Sequence, residues 1–194
     1  MDDECEILVV GAGFAGLLLS YKLRAAGSRD VSFCERGGDV GGTWYWNRYP
    51  GAATDSEGYY YCLTFSKEVL DEWSWTERYP GWEETHRYLH FVADKCGLWP
   101  HIQLSTEIVS ADFQEDTGLW RVKTAGDETY TCRYFISAMG MISEPNVPDI
   151  KGMKTFNGPC FHSSRWPQDG LDYAGKRVGI IGCGATTVQM LPVM

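Results

Sequence analysis

The chain has 194 residues, 44% hydrophobic and 22% charged, enough for a substantial core arranged as one or two domains. A formal net charge of -9 with no cluster of Lys or Arg excludes a nucleic-acid partner. No apolar run approaches a membrane span, and the N-terminal MDDECEILVV is acidic where a signal peptide would be basic, so no membrane association is expected and the expected location is cytoplasmic.

In chain order, residues 6–10 form a short apolar strand that enters GAGFAG. The apolar-periodic LLLSYKLRAAG follows as a helix and VSFCE as a second strand, which makes a βαβ unit. Residues 37–63 lose any steady period to Gly and aromatic residues, the mark of a long functional loop. A helix is predicted over 83–95, then strands over 102–104, 107–114, 120–123, 128–133 and 134–138, the last few spaced as a β-meander. SEPNVPDIKGM reads as a linker, FNGPCFHSSRWP as an irregular loop, and KRVGIIGCGATTVQMLPVM as another strand entering a Gly-rich turn. The predicted class is α/β.

The two Gly-rich turns are an internal repeat, Gly11, Gly13 and Gly16 corresponding to Gly182, Gly184 and Thr187. In the first, Gly11 permits the tight turn, Gly13 lets backbone approach a pyrophosphate, and Gly16 lets helix and strand pack closely. Glu35, at the end of the second strand, is placed to accept the hydroxyls of an adenosine ribose. A dinucleotide is therefore the expected ligand. Thr187, β-branched where the first copy has Gly16, is expected to hinder close helix–strand packing in the second.

Other residue types point to less. The seven cysteines, at 5, 34, 62, 96, 132, 160 and 183, form no C-x-x-C pair and are expected as small buried hydrophobes. His86 and His90 share a helix face at a spacing that can bind metal, but no third ligand is evident in the sequence, and no metal is expected. Trp73, Trp75, Trp82, Trp99 and Trp120 are expected in the core.

Two stretches carry a resemblance. GGDVGGTWYWNRYPGAATDSEGYYYC and FNGPCFHSSRWP, the latter fitting F-x-G-x-x-x-H-x-x-x-W-P at Phe156, Gly158, His162, Trp166 and Pro167, resemble the Baeyer-Villiger monooxygenases, class B flavoprotein monooxygenases. The likeness runs from about residue 7 to residue 189. It implies a Rossmann-like FAD-binding domain of the two-dinucleotide-binding type over 1–145, with the β-meander within it. A linker with the motif would cover 146–175, and 176–194 would be the first βα unit of an NADP-binding Rossmann domain. By resemblance, Gly11, Gly13, Phe14 and Glu35 would hold the ADP half of FAD. Thr43, Trp44, Tyr45, Trp46, Asp55 and Tyr61 would line the flavin, and Ile108 would lie near the adenine. Gly182, Gly184 and Thr187 would face the NADPH pyrophosphate, and His162 and Trp166 would couple the two domains. Asp55 matches an active-site aspartate that orients a catalytic arginine.

The implied activity is oxygen insertion next to the carbonyl of a small-molecule ketone, giving an ester or lactone at the expense of NADPH. Two departures stand out. Ala53 occupies a position where the family has an arginine, and only the first βα turn of the NADP-binding domain is present. The 194 residues alone are therefore expected to bind FAD without completing NADPH-dependent oxygenation. The alternative is a shortened relative acting as a non-redox isomerase or cyclase, or as a partner subunit. An unaccompanied βα unit exposes strand edges and apolar faces, so a homo-oligomer or a second polypeptide completing the fold is expected.

Overall fold

The computed structural model describes residues 2–194. Its central strand, β1 (Asp2–Val10), holds the apolar run Ile7, Leu8, Val9, Val10 and is buried on both faces, as a parallel strand between neighbours must be. Leu8 and Val10 pack with Cys34, Val122 and Tyr130, whereas Ile7 and Val9 pack with Phe33 on the opposite face. The alternation is the two-residue period of the strand expressed as two separate clusters.

Helix α1 (Phe14–Ala25) returns the chain to β2 (Val31–Cys34), which pairs parallel to β1. A long loop follows, interrupted by α2 (Thr43–Trp46), the 3-10 turn Gly58–Tyr61 and α3 (Lys67–Glu72). Helix α4 (Trp82–Lys95) has its termini written in the sequence, with Glu83 and Glu84 in the first turn and Lys95 in the last, each complementing the helix dipole. Gly97, with φ +58°, ends it in a Schellman motif. The Gly97 N–H donates to Asp94 O at 3.0 Å and the Leu98 N–H to Ala93 O at 2.9 Å, and Leu98 is buried. Tyr88, Leu89, Val92 and Ala93 of α4 pack with Leu17 of α1, Trp44 of α2 and Val69 of α3 in the largest core. Strands β3 (Ile102–Gln103), β4 (Ile108–Gln114), β5 (Leu119–Thr124) and β6 (Thr129–Ser137) complete one sheet of order β3-β2-β1-β6-β5-β4. Its first four strands are parallel, and β5 and β4 continue it antiparallel as the meander. This is a Rossmann-like α/β fold.

Several expectations change in detail. Strands predicted separately over 128–133 and 134–138 are the single β6, but the two halves differ. Thr129 to Cys132 pair with both β1 and β5, and Tyr134 to Ser137 with β1 alone. β1 begins at Asp2 rather than residue 6, because its first residues find partners in the first half of β6. The strand expected in RVGIIG is not formed. No described strand lies beside it to supply ladder hydrogen bonds, and Val178 and Ile181 are exposed. The short helix α5 (Ala185–Met190) that follows the second Gly-rich turn does form.

The five singled-out tryptophans all pack against the cores, as expected. Among the described residues no cysteines are paired. Burial pushes the Cys34 thiol up to about 12 and that of Cys132 to about 11, as inert core thiols require. Cys160 and Cys183 are exposed, against expectation, because the segment carrying them runs over the surface. No helix among the described residues is long and apolar enough to cross a membrane.

Candidate functional site

The first Gly-rich turn is built by backbone contacts that leave no room for side chains. Gly11 has φ +108°, donates its N–H to Cys34 O at 2.8 Å, and a Cβ on it would lie 2.5 Å from Ala138 O. A Cβ on Gly16 would run into the Gly11 carbonyl oxygen. Gly13 caps α1 without a side chain, and α1 has no acidic residue in its first turn, so its N-terminal amides face no competing carboxylate of their own. Across from Gly13 lies Gly42, with φ +53°, whose missing Cβ would come within 2.9 Å of Gly13 Cα. Two bare stretches of backbone therefore meet in front of the helix N-terminus. That is the shape a pyrophosphate needs.

Glu35 fastens this cradle from beneath. It is 5% exposed, and its Oε2 accepts the Ala12 N–H at 2.7 Å while Oε1 accepts that of Gly37 at 2.6 Å. The carboxylate thus ties the first turn to the loop after β2, with lone pairs remaining for a ribose. The Glu35 and Gly37 carbonyls accept the N–H groups of Thr106 and Ser105, each at 2.8 Å, which brings the start of β4 alongside. Ile108 lies there, partly buried against the cluster containing Cys34.

The aromatic loop forms the next wall. Trp44 is buried and meets Tyr61 edge-on at 5.8 Å, and Phe14 meets Tyr61 at 5.6 Å and Tyr88 at 6.1 Å. The Phe14 ring is therefore a packing group, and only its backbone belongs to the helix N-terminus. Thr43 opens α2, and its carbonyl accepts the Asn47 N–H and side-chain amide, both at 2.9 Å. The Tyr45 hydroxyl accepts the Gly38 N–H at 3.2 Å. Burial, with the Asp55 charge second, holds the Tyr61 phenol above its ordinary range.

The second turn repeats the first in backbone only. Gly182 has φ +123°, and Gly184 caps α5 at φ -77°, ψ -177°, near the -83°, -164° of Gly13. Thr187 does not crowd its turn, because its hydroxyl donates to Gly182 O at 3.1 Å. The helix stands off where α1 presses in. α5 is instead held by a residue whose role the sequence does not signal. Gln189 Nε2 donates to Asp55 Oδ1 and to Ala53 O, each at 2.9 Å, and Oε1 accepts the Tyr49 hydroxyl at 2.7 Å. Gly51, with φ +76°, leaves space that a Cβ would take from the Gln189 carbonyl. The catalytic candidate Asp55 and the second fingerprint are thereby joined.

The loop motif meets this junction. His162 Nδ1 accepts the Ser164 N–H at 3.2 Å and shapes the 3-10 turn Ser163–Arg165. Trp166 packs beside Tyr49, Ala52 and Met190, and the Pro167 carbonyl closes the following turn by accepting the Gly170 N–H at 3.0 Å. The exposed Phe156 ring lies over Gly158, where a Cβ would come within 2.7 Å of it. Two arginines overlooked in the sequence add the link to the aromatic loop. Arg165 and Arg36 lie over the Trp46 ring at 5.0 and 5.1 Å, and both donate to Ser143 O, at 3.3 and 2.9 Å. Glu144 pairs with both guanidiniums. His86 and His90 lie on α4 behind the loop that carries Gly42, where Asp39 comes close to both.

The family model of pyridine nucleotide-disulphide oxidoreductases matches residues 8–190. The chain is 45% identical over 183 residues to acetone monooxygenase (methyl acetate-forming) of Gordonia sp., covering 94% of this chain and 34% of that protein. It is 42% identical over 188 residues to a Baeyer-Villiger monooxygenase of Pseudooceanicola batsensis, covering 97% of this chain and 34% of that protein. A crystal structure of OTEMO in complex with FAD and NADP superposes over 100% of this chain and 37% of that one, with a TM-score of 0.92 and 42% identity. The chain thus spans about a third of the length of the curated relatives it matches. Taken with the glycine cradle, the Glu35 clasp and the loop motif, these likenesses show that the chain belongs to the pyridine nucleotide-disulphide oxidoreductase family and, within it, to the Baeyer-Villiger monooxygenases, whose N-terminal portion it matches.

Proposed function

We propose that this chain is the FAD-binding part of an NADPH-using monooxygenase that inserts one oxygen atom next to the carbonyl of a small-molecule ketone, giving an ester or lactone. The observation that carries the reading is the cradle at Gly13 and Gly42. Its surface is bare backbone at a helix N-terminus, and the Glu35 carboxylate below it has lone pairs to spare. These features fit the pyrophosphate and ribose of FAD. Bound there, FAD would supply the redox chemistry, with the protein contributing binding, orientation and electrostatics.

The residues divide that work. Gly11, Gly13, Gly16 and Glu35 would hold the ADP half, with Ile108 beside the adenine, and Thr43 to Trp46 and Tyr61 would face the flavin. Asp55, held through Oδ1 by Gln189, would present its other oxygen to a cationic side chain of the active site. Gly182, Gly184 and Thr187 would face NADPH, a role that rests on the family likeness. Arg165 and Trp166 would carry domain coupling, with His162 shaping their turn. In this reading 1–145 is the FAD-binding domain, 146–175 the linker and 176–194 the start of the NADP-binding domain. The exposed Val178, Ile181, Val188, Leu191 and Val193 support a further protein surface packed against that end. A cytoplasmic location fits the unpaired cysteines.

The test is flavin titration followed by turnover. The chain should take up FAD, and Glu35→Ala should weaken that uptake at least about tenfold, the worth of roughly one charge-assisted hydrogen bond. Protein that takes up no FAD, with wild type and variant alike, would sink the reading. Ester formation from cyclic or methyl ketones, followed together with NADPH consumption in a preparation containing the complete enzyme, tests the reaction itself.

A further inference from the structure

Behind the loop that carries Gly42, three side chains from distant parts of the sequence converge. Asp39, in the loop after β2, and His86 and His90, on successive turns of α4, each bring one ligand atom to within 4.8 Å of the others. Asp39 Oδ2 lies 2.7 Å from His90 Nε2 and 3.4 Å from His86 Nε2, and the two imidazoles meet edge-on with centroids 4.8 Å apart. Two ligands on a tetrahedral ion with bonds of roughly 2.0–2.1 Å sit about 3.3 Å apart. The His86–Asp39 spacing fits as it stands, and the His90–Asp39 pair needs to open by a fraction of an ångström.

We propose that Asp39, His86 and His90 bind a divalent transition-metal ion of the zinc type, with a fourth position open to the surface cleft lined by Trp73, Arg87, Phe91 and Asp94. Two imidazoles and a carboxylate are a donor set that suits such an ion, and three protein ligands leave one place for water or an anion. The competing arrangement is purely hydrogen-bonded. His90 pairs with Asp39, and His86 Nε2 lies 2.9 Å from the Val40 carbonyl. Metal binding would move each ring proton to Nδ1 and leave that carbonyl without its imidazole partner, a loss that three metal bonds exceed. The ion would tie α4 to the loop of residues 37–42, which already lies against His86 at Gly41, where a Cβ would come within 2.7 Å of the ring.

Full chain freed of metal by chelation would be titrated with Zn2+ by calorimetry and with Co2+ by visible absorbance. One equivalent should bind, with the strong visible bands of low-coordinate Co2+. Asp39→Ala, His86→Ala and His90→Ala should each weaken binding at least about tenfold, since even groups behind the ligands cost that much. Because His86 packs against Gly41, its variant is paired with circular dichroism. If it fails to fold, His90→Ala and Asp39→Ala decide, the His90 side chain being 37% exposed. No saturable binding with Zn2+ up to about 1 mM would overturn the proposal. So would binding unchanged in both His90→Ala and Asp39→Ala, or weakened as much by His101→Ala.

Discussion

The two glycine fingerprints share a backbone and differ in everything around it. Gly11 and Gly182 both have a positive φ, +108° and +123°, and Gly13 and Gly184 cap their helices at nearly the same dihedrals. In the first copy the turn is flanked by β1, β2 and β6, and Gly11 and Gly16 are crowded by backbone. In the second, Gly184 has no atom within 4 Å of a would-be Cβ, and Gly182 meets only the Thr187 hydroxyl at 3.9 Å. The dihedrals of such a turn are thus local properties of its glycines, whereas the tight helix–strand seam exists only where a sheet presses the helix inward. Thr187 is accommodated because its hydroxyl bonds back to the Gly182 carbonyl.

The sharpest way to break this comparison is to exchange the third positions. Gly16→Ala should destabilise the chain by about 3 kcal/mol or more, because its Cβ meets backbone rather than a side chain that can rotate away. Thr187→Gly, which removes one hydrogen bond and adds backbone freedom, should cost about 1–2 kcal/mol. Urea unfolding of the two variants measures the difference, and equal losses would contradict the seam argument.

Glu35→Ala should come next. It strands the amides of Ala12 and Gly37 under the first turn, for about 2–4 kcal/mol, and the loss should appear in the same unfolding experiment without FAD. The second fingerprint has no equivalent buried carboxylate and depends on Gln189. Gln189→Ala should cost only about 1–2 kcal/mol, since the groups it serves are partly reached by water, but hydrogen exchange over 185–194 should accelerate. Gln189→Glu should be worse than Gln189→Ala. It removes both donors and sets a second carboxylate against Asp55.

The smallest effect is expected at the contact joining the two regions. Arg165→Ala removes one of the two guanidiniums over Trp46 and should change global stability by no more than about 1 kcal/mol. Its signature should instead be a larger fall in NADPH-driven flavin reduction than in FAD affinity, measured by stopped-flow absorbance in the complete enzyme. A loss confined to FAD affinity would assign Arg165 to the first region alone.

What the sequence determined by itself was the part written over short spans. The turn GAGFAG, the carboxylate at the end of β2 and the helix over 83–95 are each written in a few neighbouring residues, and local sterics and periodicity suffice to read them. F-x-G-x-x-x-H-x-x-x-W-P was equally legible as a motif, although its working contacts, Arg165 over Trp46 and Trp166 against Tyr49, Ala52 and Met190, were not. Only tertiary structure decided where long-range partners lie. It lengthened β1 by giving its first residues a partner in β6, left RVGIIG without a strand for lack of a neighbour, and exposed Cys160 and Cys183 on a surface segment. It also made Gln189 a junction with Tyr49 and Asp55 and set Asp39 beside His86 and His90, more than forty positions away. Hydrogen bonds and ion pairs act over a few ångströms of space and carry no trace of their partners' spacing along the chain, so no local pattern could have announced them.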